Sequence, residues 1–323
     1  MGEKASIFQG VQVGVEATAG TPIAAGKKLL AVSVVPQSRT EADKFRALGN
    51  KYASFVTLNK EWSELAINGK LTYNEILYLL SSLLSVPTPV QQGATAAYKW
   101  TFVSNTSAED AGKTLTIEQG DANSAWRVAG GRVTGLTMTF NRTEGAIQGS
   151  GIGEALETGI TLTATPTSLV PKPILPAQMS FKMADTQAGL AGASALTRGF
   201  SMEFSLTDKV GLAWPVGQDP VTVETEPNIQ AKLKLATDTV GMGLIATMRS
   251  GATKWFRIKA TGALIASTYY YDFQLDFPAQ IEAPGDMSDQ EGIYALEFGL
   301  VPLHDATWGK SFQIDIIADV TTL

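Results

Sequence analysis

Residues 269–277 read Tyr269-Tyr270-Tyr271-Asp272-Phe273-Gln274-Leu275-Asp276-Phe277. Tyr269, Tyr271, Phe273, Leu275 and Phe277 hold alternate positions, with Tyr270, Asp272, Gln274 and Asp276 between them. In an extended chain successive side chains point to opposite faces, so this stretch predicts a strand with one oily face and one polar, acidic face. A turn-forming run, Pro284-Gly285-Asp286-Met287-Ser288-Asp289, follows. Tyr294, Leu296, Phe298 and Leu300 then alternate with Ala295, Glu297 and Gly299. The pattern predicts a long amphipathic antiparallel hairpin over residues 269–303.

Residues 132–155 share the layout. Leu136, Met138 and Phe140 alternate with Gly135, Thr137, Thr139 and Asn141, a turn is expected near Thr143-Glu144-Gly145, and a Gly-rich strand returns. Two hairpins, each wet along one flank, imply a sheet that lines an aqueous space.

The order of elements around these hairpins repeats. In the first half, residues 29–35 and 55–67 read as strands. Thr72 and Glu75 have capping-box spacing at the head of an apolar helical stripe over residues 72–85. Short strands at 98–103, 114–119 and 125–128 follow, and Gly130-Gly131 is read as a turn into the first hairpin. In the second half, residues 200–206 and 228–236 are strands. Asp238 caps a helix over 239–249, which Gly251 stops. Strands at 254–260 and 262–266 lead to the second hairpin, and Phe312, Ile314, Ile316 and Ala318 mark a last strand. Strand, strand, helix, strands, long hairpin thus occurs twice. The reading is mainly β with two short helices, organised as 1–157, a Thr-, Pro- and Gly-rich linker and loop over 158–195, and 196–323. The small, Gly-rich residues 1–26 read as an extended arm. Residues 37–50, with Arg39, Glu41, Asp43, Lys44 and Arg46, read as a mobile charged loop projecting from the sheet.

Composition narrows the function classes. Charged residues are 17% and hydrophobic residues 44% of 323, which suits a β-rich protein that covers much of its surface with copies of itself, and equally a secreted β-protein. The formal net charge of -6 and the absence of any Lys/Arg-rich run exclude a basic footprint for gripping nucleic acid. With no cysteine there is no disulfide, thiolate nucleophile or Cys-based metal site, and a reducing cytoplasm suits the chain. No basic-then-apolar leader opens the sequence, and no apolar run approaches the roughly 20 residues of a membrane helix. Met1-Gly2 with Ser6 matches the short myristoylation pattern.

At this point the chain resembles the major tail tube proteins of long-tailed bacteriophages with a non-contractile tail. The residues that carry the resemblance are Gln12-Val13-Gly14-Val15-Glu16 with Gly20-Thr21, Gly69-Lys70-Leu71-Thr72, Thr114-Leu115-Thr116-Ile117-Glu118-Gln119-Gly120-Asp121, Gly131-Arg132-Val133-Thr134-Gly135-Leu136, Ala195-Leu196-Thr197-Arg198 and the strand from Tyr294 to Leu303. The resemblance spans nearly the whole chain through loose structural motifs. It implies tandem β-sandwich, half-barrel domains whose long hairpins pool into a ring-closed inner β-barrel. Rings would stack into a hollow tube, held by loops and terminal arms and joined to other tail proteins. Two units per chain imply three chains in a pseudo-six-fold ring; one enlarged unit implies a hexamer. The subunit would be made in the host cytoplasm, end in the virion tail, need no cofactor and pass double-stranded DNA without specific binding. On this reading Asp272, Gln274, Asp276 and Glu297, with Thr137 and Thr139, face the lumen as an acidic wall that repels phosphate. Arg39, Glu41, Asp43, Lys44 and Arg46 are candidates for contact between rings.

No catalytic constellation competes. His304 is the single histidine and cannot build a His-based metal site or a triad alone. Gly149-Ser150-Gly151-Ile152-Gly153 lacks the helix a nucleotide loop needs and reads as a Gly-softened strand at a close subunit contact. Asp286, Asp289 and Glu291 are acidic turn residues with the spacing of a small cation site. The chain is therefore read as a non-enzyme. Alternatives of other kinds are a soluble carbohydrate-binding or adhesin-like β-sandwich and another ring-forming tail or secretion-tube component. Tryptophans scattered at 62, 100, 126, 214, 255 and 308 favour packing over a sugar-binding loop cluster.

Overall fold

A computed structural model describes residues 9–121, 124–216 and 220–323; the Met1-Gly2 and Ser6 pattern lies outside them. The chain is mainly β. Its organising feature is a wide antiparallel sheet with four strands from each half. In the first half the order across the sheet is Val32–Phe45, Phe55–Lys70, Gly145–Gly153, Ala125–Asn141. In the second it is Gly199–Thr207, Asn228–Ala236, Ile293–Pro302, Tyr269–Pro284. Numbered along the chain, each half is ordered 1-2-4-3. Each carries a helix after its second strand, Ile76–Leu83 and Thr239–Ser250, in contact with the third strand of the same half.

The halves join edge to edge. Residues 136–141 of the first pair with 201–206 of the second, with Phe140 opposite Met202 and Thr137 opposite Ser205. Other pairings also cross the 158–195 segment. Tyr98–Val103 pairs with Gln313–Ala318, and Met179–Ala184, within the stretch read as linker, pairs with Lys254–Ala266. That segment is woven into the fold because Met179, Phe181 and Met183 alternate inward, opposite Ala260, Ile258 and Phe256.

Two smaller sheets back the wide one. Behind the first half lie Gly10–Val15, Lys27–Leu29 and Leu115–Gly120 with the first residues of Ala125–Asn141. Residues 10–15 are therefore a paired strand with Val11 and Val13 buried, and the expected free arm is not seen there. Behind the second half lie Lys254–Ala266, the first residues of Tyr269–Pro284, Gln313–Ala318 and Tyr98–Val103. The third strand of each half thus starts in the backing sheet and ends in the wide one. Gly130 and Gly131 sit at the first crossing; the strand runs through them rather than turning.

Aromatic residues fill the space between layers. Phe140 and Phe204 of the wide sheet meet Phe273 and Phe277 of the backing sheet, with ring centroids 5.4 Å apart in each pair. Each buried side chain of this size contributes about 1.5–3 kcal/mol. The Ile76–Leu83 helix is buried all round, beyond the amphipathic expectation, because the backing sheet covers its other side. The later helix follows the sequence reading: Asp238 Oδ1 accepts from the amides of Val240 and Gly241, and Gly251 ends it at φ 65.

Both predicted hairpins exist, but the second is displaced. The first pairs Arg132 with Ile152 through Phe140 with Gly145, as expected. In the second, residues 279–284 and Ser288–Gln290 pair with Ile293–Pro302. The reversal falls at Glu291 and Gly292, both with positive φ (53 and 81), where a tight hairpin turn requires that conformation. Residues 269–279, read as the first arm of that hairpin, pair instead with Lys254–Ala266 and Gln313–Ala318.

Candidate functional site

The outward face of the wide sheet is a broad polar surface. One row crosses six strands in register: Ser33, Asn68, Gln148, Thr137, Ser205, Gln230. The hydroxyls of Thr137 and Ser205 bond at 2.8 Å across the joint between halves. The neighbouring row runs Lys70, Ala146, Thr139, Glu203, Lys232, Gly299, and a third runs Asn141, Ser201, Lys234, Glu297. Charges on this face alternate in sign, with Lys232 beside Glu203 at 3.7 Å and Lys234 opposite Glu297.

The six residues expected on one acidic wall are divided between two faces. Thr137, Thr139 and Glu297 lie on this surface. Asp272, Gln274 and Asp276 lie on the outward face of the backing sheet, because their neighbours Phe273 and Phe277 point inward against the wide sheet. The two faces are back to back and cannot line one space. Nor is the second face acidic. Arg257 holds Asp276 through two bonds, Nε to Oδ1 at 2.6 Å and Nη2 to Oδ2 at 2.7 Å, both groups being nearly inaccessible. Lys259 lies 3.5 Å from Asp272, and Lys99 lies 3.1 Å from Asp315. Burial pushes the Asp272 carboxyl up, opposed by the Thr261 hydroxyl and Lys259. Alternation along one strand revealed the carboxylates; the cations come from strands that only the fold brings alongside.

The residues read as a mobile charged loop form a ribbon. Val32–Phe45 and Phe55–Lys70 pair from Val32 with Gly69 out to Phe45 with Phe55. The neighbouring strand Gly145–Gly153 accompanies this hairpin only as far as Ser63. Beyond it a two-stranded arm continues for about 25 Å at the usual rise per residue. Arg39 bonds Glu64 at 2.8 Å and Glu41 bonds Lys60 at 2.8 Å, both across the ribbon; Asp43, Lys44 and Arg46 are exposed. The arm is also apolar at its end: Phe45 and Phe55 stack at 4.8 Å, and Leu48, Tyr52, Val56 and Leu58 are exposed. Trp214 braces the base, meeting Trp62 edge-on at 5.8 Å.

The Thr72 hydroxyl accepts from the Glu75 amide at 3.2 Å, but the helix begins at Ile76 with Glu75 at its N-cap, so Thr72 closes the turn that leads into the helix and does not cap it as expected. Glu75 does not reach back to close the box. Its carboxylate accepts from the amides of Leu30, Ala31 and Val32 at 2.8–3.1 Å, holding the lead-in to the first strand of the wide sheet. Burial pushes the Glu75 carboxyl up while those three amides pull it down. A second buried cluster escaped sequence reading. Lys209, fully buried, pairs with Asp110 at 2.8 Å and with Glu224, fastening the Val210–Ala213 and Val221–Glu224 hairpin to the body. An isolated lysine between a turn and a strand carries no sequence signal for this role.

The remaining chemical candidates resolve locally. His304 is exposed in a loop. Gly149 and Gly151 lie in a strand where an added Cβ at Gly149 would come within 2.6 Å of the Gly135 carbonyl oxygen, so the close contact is between strands of one chain. Asp289 Oδ1 accepts from the Gly292 amide at 2.9 Å. Among the described residues no group of three or more His, Cys, Asp or Glu has metal-site geometry, and no helix is long and apolar enough to cross a membrane.

No protein-family model matches the chain, and no curated protein matches it.

Proposed function

We propose that this chain is a structural subunit of a bacteriophage tail tube, polymerising as stacked rings around a lumen that conducts the viral genome. The observation that carries the reading is the wide sheet: the same 1-2-4-3 unit occurs twice and is already joined edge to edge within the chain. An isolated sheet with open ends is an association hazard, and ring closure removes it. The polar outer face then becomes the lumen wall, with Thr137, Thr139 and Glu297 beside Asn68, Gln148, Ser205 and Gln230. Asp272, Gln274 and Asp276 move to the tube exterior.

The wall works by being unremarkable to phosphate. Hydroxyls, amides and charges of both signs offer DNA no run of cations whose counterion release would hold it. Ring size follows from strand arithmetic. At about 4.8 Å between strands and a tilt near 40°, two chains close a barrel about 32 Å across between backbones and three close one about 48 Å across. Side chains occupy about 5 Å on each wall, leaving about 22 Å for two chains, little more than the width of a bare duplex, and about 38 Å for three, which admits a duplex with its hydration and counterions. The arm carrying Arg39, Glu41, Asp43, Lys44 and Arg46 would reach the next ring. Synthesis in the host cytoplasm, the virion tail as destination and other tail proteins as partners belong to the same reading.

Negative-stain microscopy of the purified chain tests it. Rings or tubes with a central hole and three-fold symmetry are expected. A monomer at every concentration, without rings, would overturn the proposal in favour of a free-standing β-sandwich binding protein.

A further inference from the structure

Among the described residues the wide sheet ends in two unpaired edges. Within the described residues Val32–Phe45 pairs on one side only, with Phe55–Lys70. Residues 280–290 pair on one side only, with Ile293–Pro302. We infer that in a second copy of this chain the edge at residues 33–37 adds antiparallel to the edge at residues 285–290, with Ser33 opposite Gln290, Val35 opposite Ser288 and Gln37 opposite Gly285. This rests on the tube reading and specifies its seam.

The register comes from the internal joint. Thr72 and Asp238 hold matching places where the chain leaves the second strand for the helix, each accepting from the amide three residues on, Glu75 and Gly241. Three residues before each acceptor lie Gly69 and Leu235, and these second-strand positions are taken to correspond. Gly69 is opposite Ile147, as Leu235 is opposite Leu296. Following both ladders outward, Thr137 and Thr139 of the first hairpin correspond to Gly285 and Ser288 of the second, which bulges by one residue between them: Thr139 faces Ala146 as Ser288 faces Ala295, and Thr137 faces Gln148 as the Gly285 amide bonds the Glu297 carbonyl. On the receiving side, Ser205 and Glu203 correspond to Gln37 and Val35. Within the chain Thr137 faces Ser205 and Thr139 faces Glu203. The same step repeated between chains gives the stated seam.

Three further observations agree. Along one row of the sheet, Gly69 leads through Ile147, Met138 and Phe204 to Ala231, which corresponds to Leu65. The row therefore drops four residues in four strands. One residue per strand corresponds to a tilt of about 35°, within the range that closes a barrel. Exposed apolar side chains gather at both edges, Leu30 and Val35 on one and Met287, Ile293 and Tyr294 on the other. Charges are complementary: Asp286, Asp289 and Glu291 flank the donor edge, while Lys28 lines a groove of about 660 Å³ along residues 29–33 of the acceptor, with Lys70 nearby.

Because the chain has no cysteine, paired substitutions report the seam directly. Val35→Cys chains are mixed with Ser288→Cys chains and oxidised with copper–phenanthroline. A disulfide-linked dimer is expected in the mixture and not in either chain alone. The double variant should give a ladder that stops at the trimer. Moving one cysteine two residues along, as Gln37→Cys with Ser288→Cys, lengthens the Cα separation beyond what a disulfide spans and should lower the yield about tenfold. Rings by microscopy without crosslinking above this shifted control would overturn the seam and leave the tube reading standing. Absence of both rings and crosslinks, with circular dichroism unchanged, would overturn both.

Discussion

Asp276 shows how a single side chain changes meaning when its neighbours are known. On the strand it is one of several carboxylates of a wet flank; in the fold it is a buried partner of Arg257. Asp276→Asn should lower stability by about 3–5 kcal/mol, since it strands a buried guanidinium. Urea unfolding measures this, and a loss under 1 kcal/mol would show the pair to be solvated. Asp110 makes the corresponding case for pH. Burial alone would raise its pKa, but the bonds from Lys209, the Asn105 amide and the Ser104 hydroxyl outweigh it and hold the carboxyl below the ordinary aspartate range. Its folded pKa is thus below its unfolded one. The stabilisation is complete above the unfolded value and is lost as pH falls through the folded value. Asp110→Asn should be less stable at neutral pH and show a flatter acid limb in a series of melting temperatures; an unchanged limb would remove Asp110 from acid unfolding. The bond from the Glu75 amide to the Thr72 hydroxyl was legible because it spans three residues. The acceptor role of Glu75 was not, because its donors lie more than forty residues away in sequence.

At the scale of elements, the arm formed by Val32–Phe45 and Phe55–Lys70 separates stability from assembly. Past Arg39 and Trp62 its backbone bonds are internal to the ribbon and its outer residues are exposed. Replacing residues 41–59 with an Asn-Gly turn should leave the melting temperature within a few degrees of the parent. In the proposed assembly, single rings should persist and long tubes disappear from micrographs. Tubes of normal length would show that stacking lies elsewhere. Sequence reading took this region as a loop because its charges obscured the alternation. The period-two pattern is reliable where one face is buried, and here neither is. The second hairpin was misplaced for a related reason. Pro284-Gly285-Asp286 has turn composition, yet the chain reverses at Glu291-Gly292, where two consecutive residues take positive φ.

For the molecule as a whole, the pairings between halves make cooperativity testable. Residues 1–157 expressed alone would leave Tyr98–Val103 without Gln313–Ala318 and residues 136–141 without 201–206. That fragment should aggregate or give the broad transition of a loosely packed state, while the intact chain melts in one calorimetric step. A soluble fragment with a sharp transition of its own would show the halves to be independent. The sequence by itself determined which residues share a face of each strand, that a helix follows the second strand of each half, that the chain is mainly β, and that one order of elements occurs twice. All of these depend on neighbours a few positions apart. Only the tertiary structure decided which strands lie side by side, which polar faces turn together, and which carboxylates meet a cation. Alternation specifies that a side chain points up or down but leaves open what lies across the ladder. That is set by burial between distant segments, where Phe140 against Phe273 and Phe204 against Phe277 choose the layers.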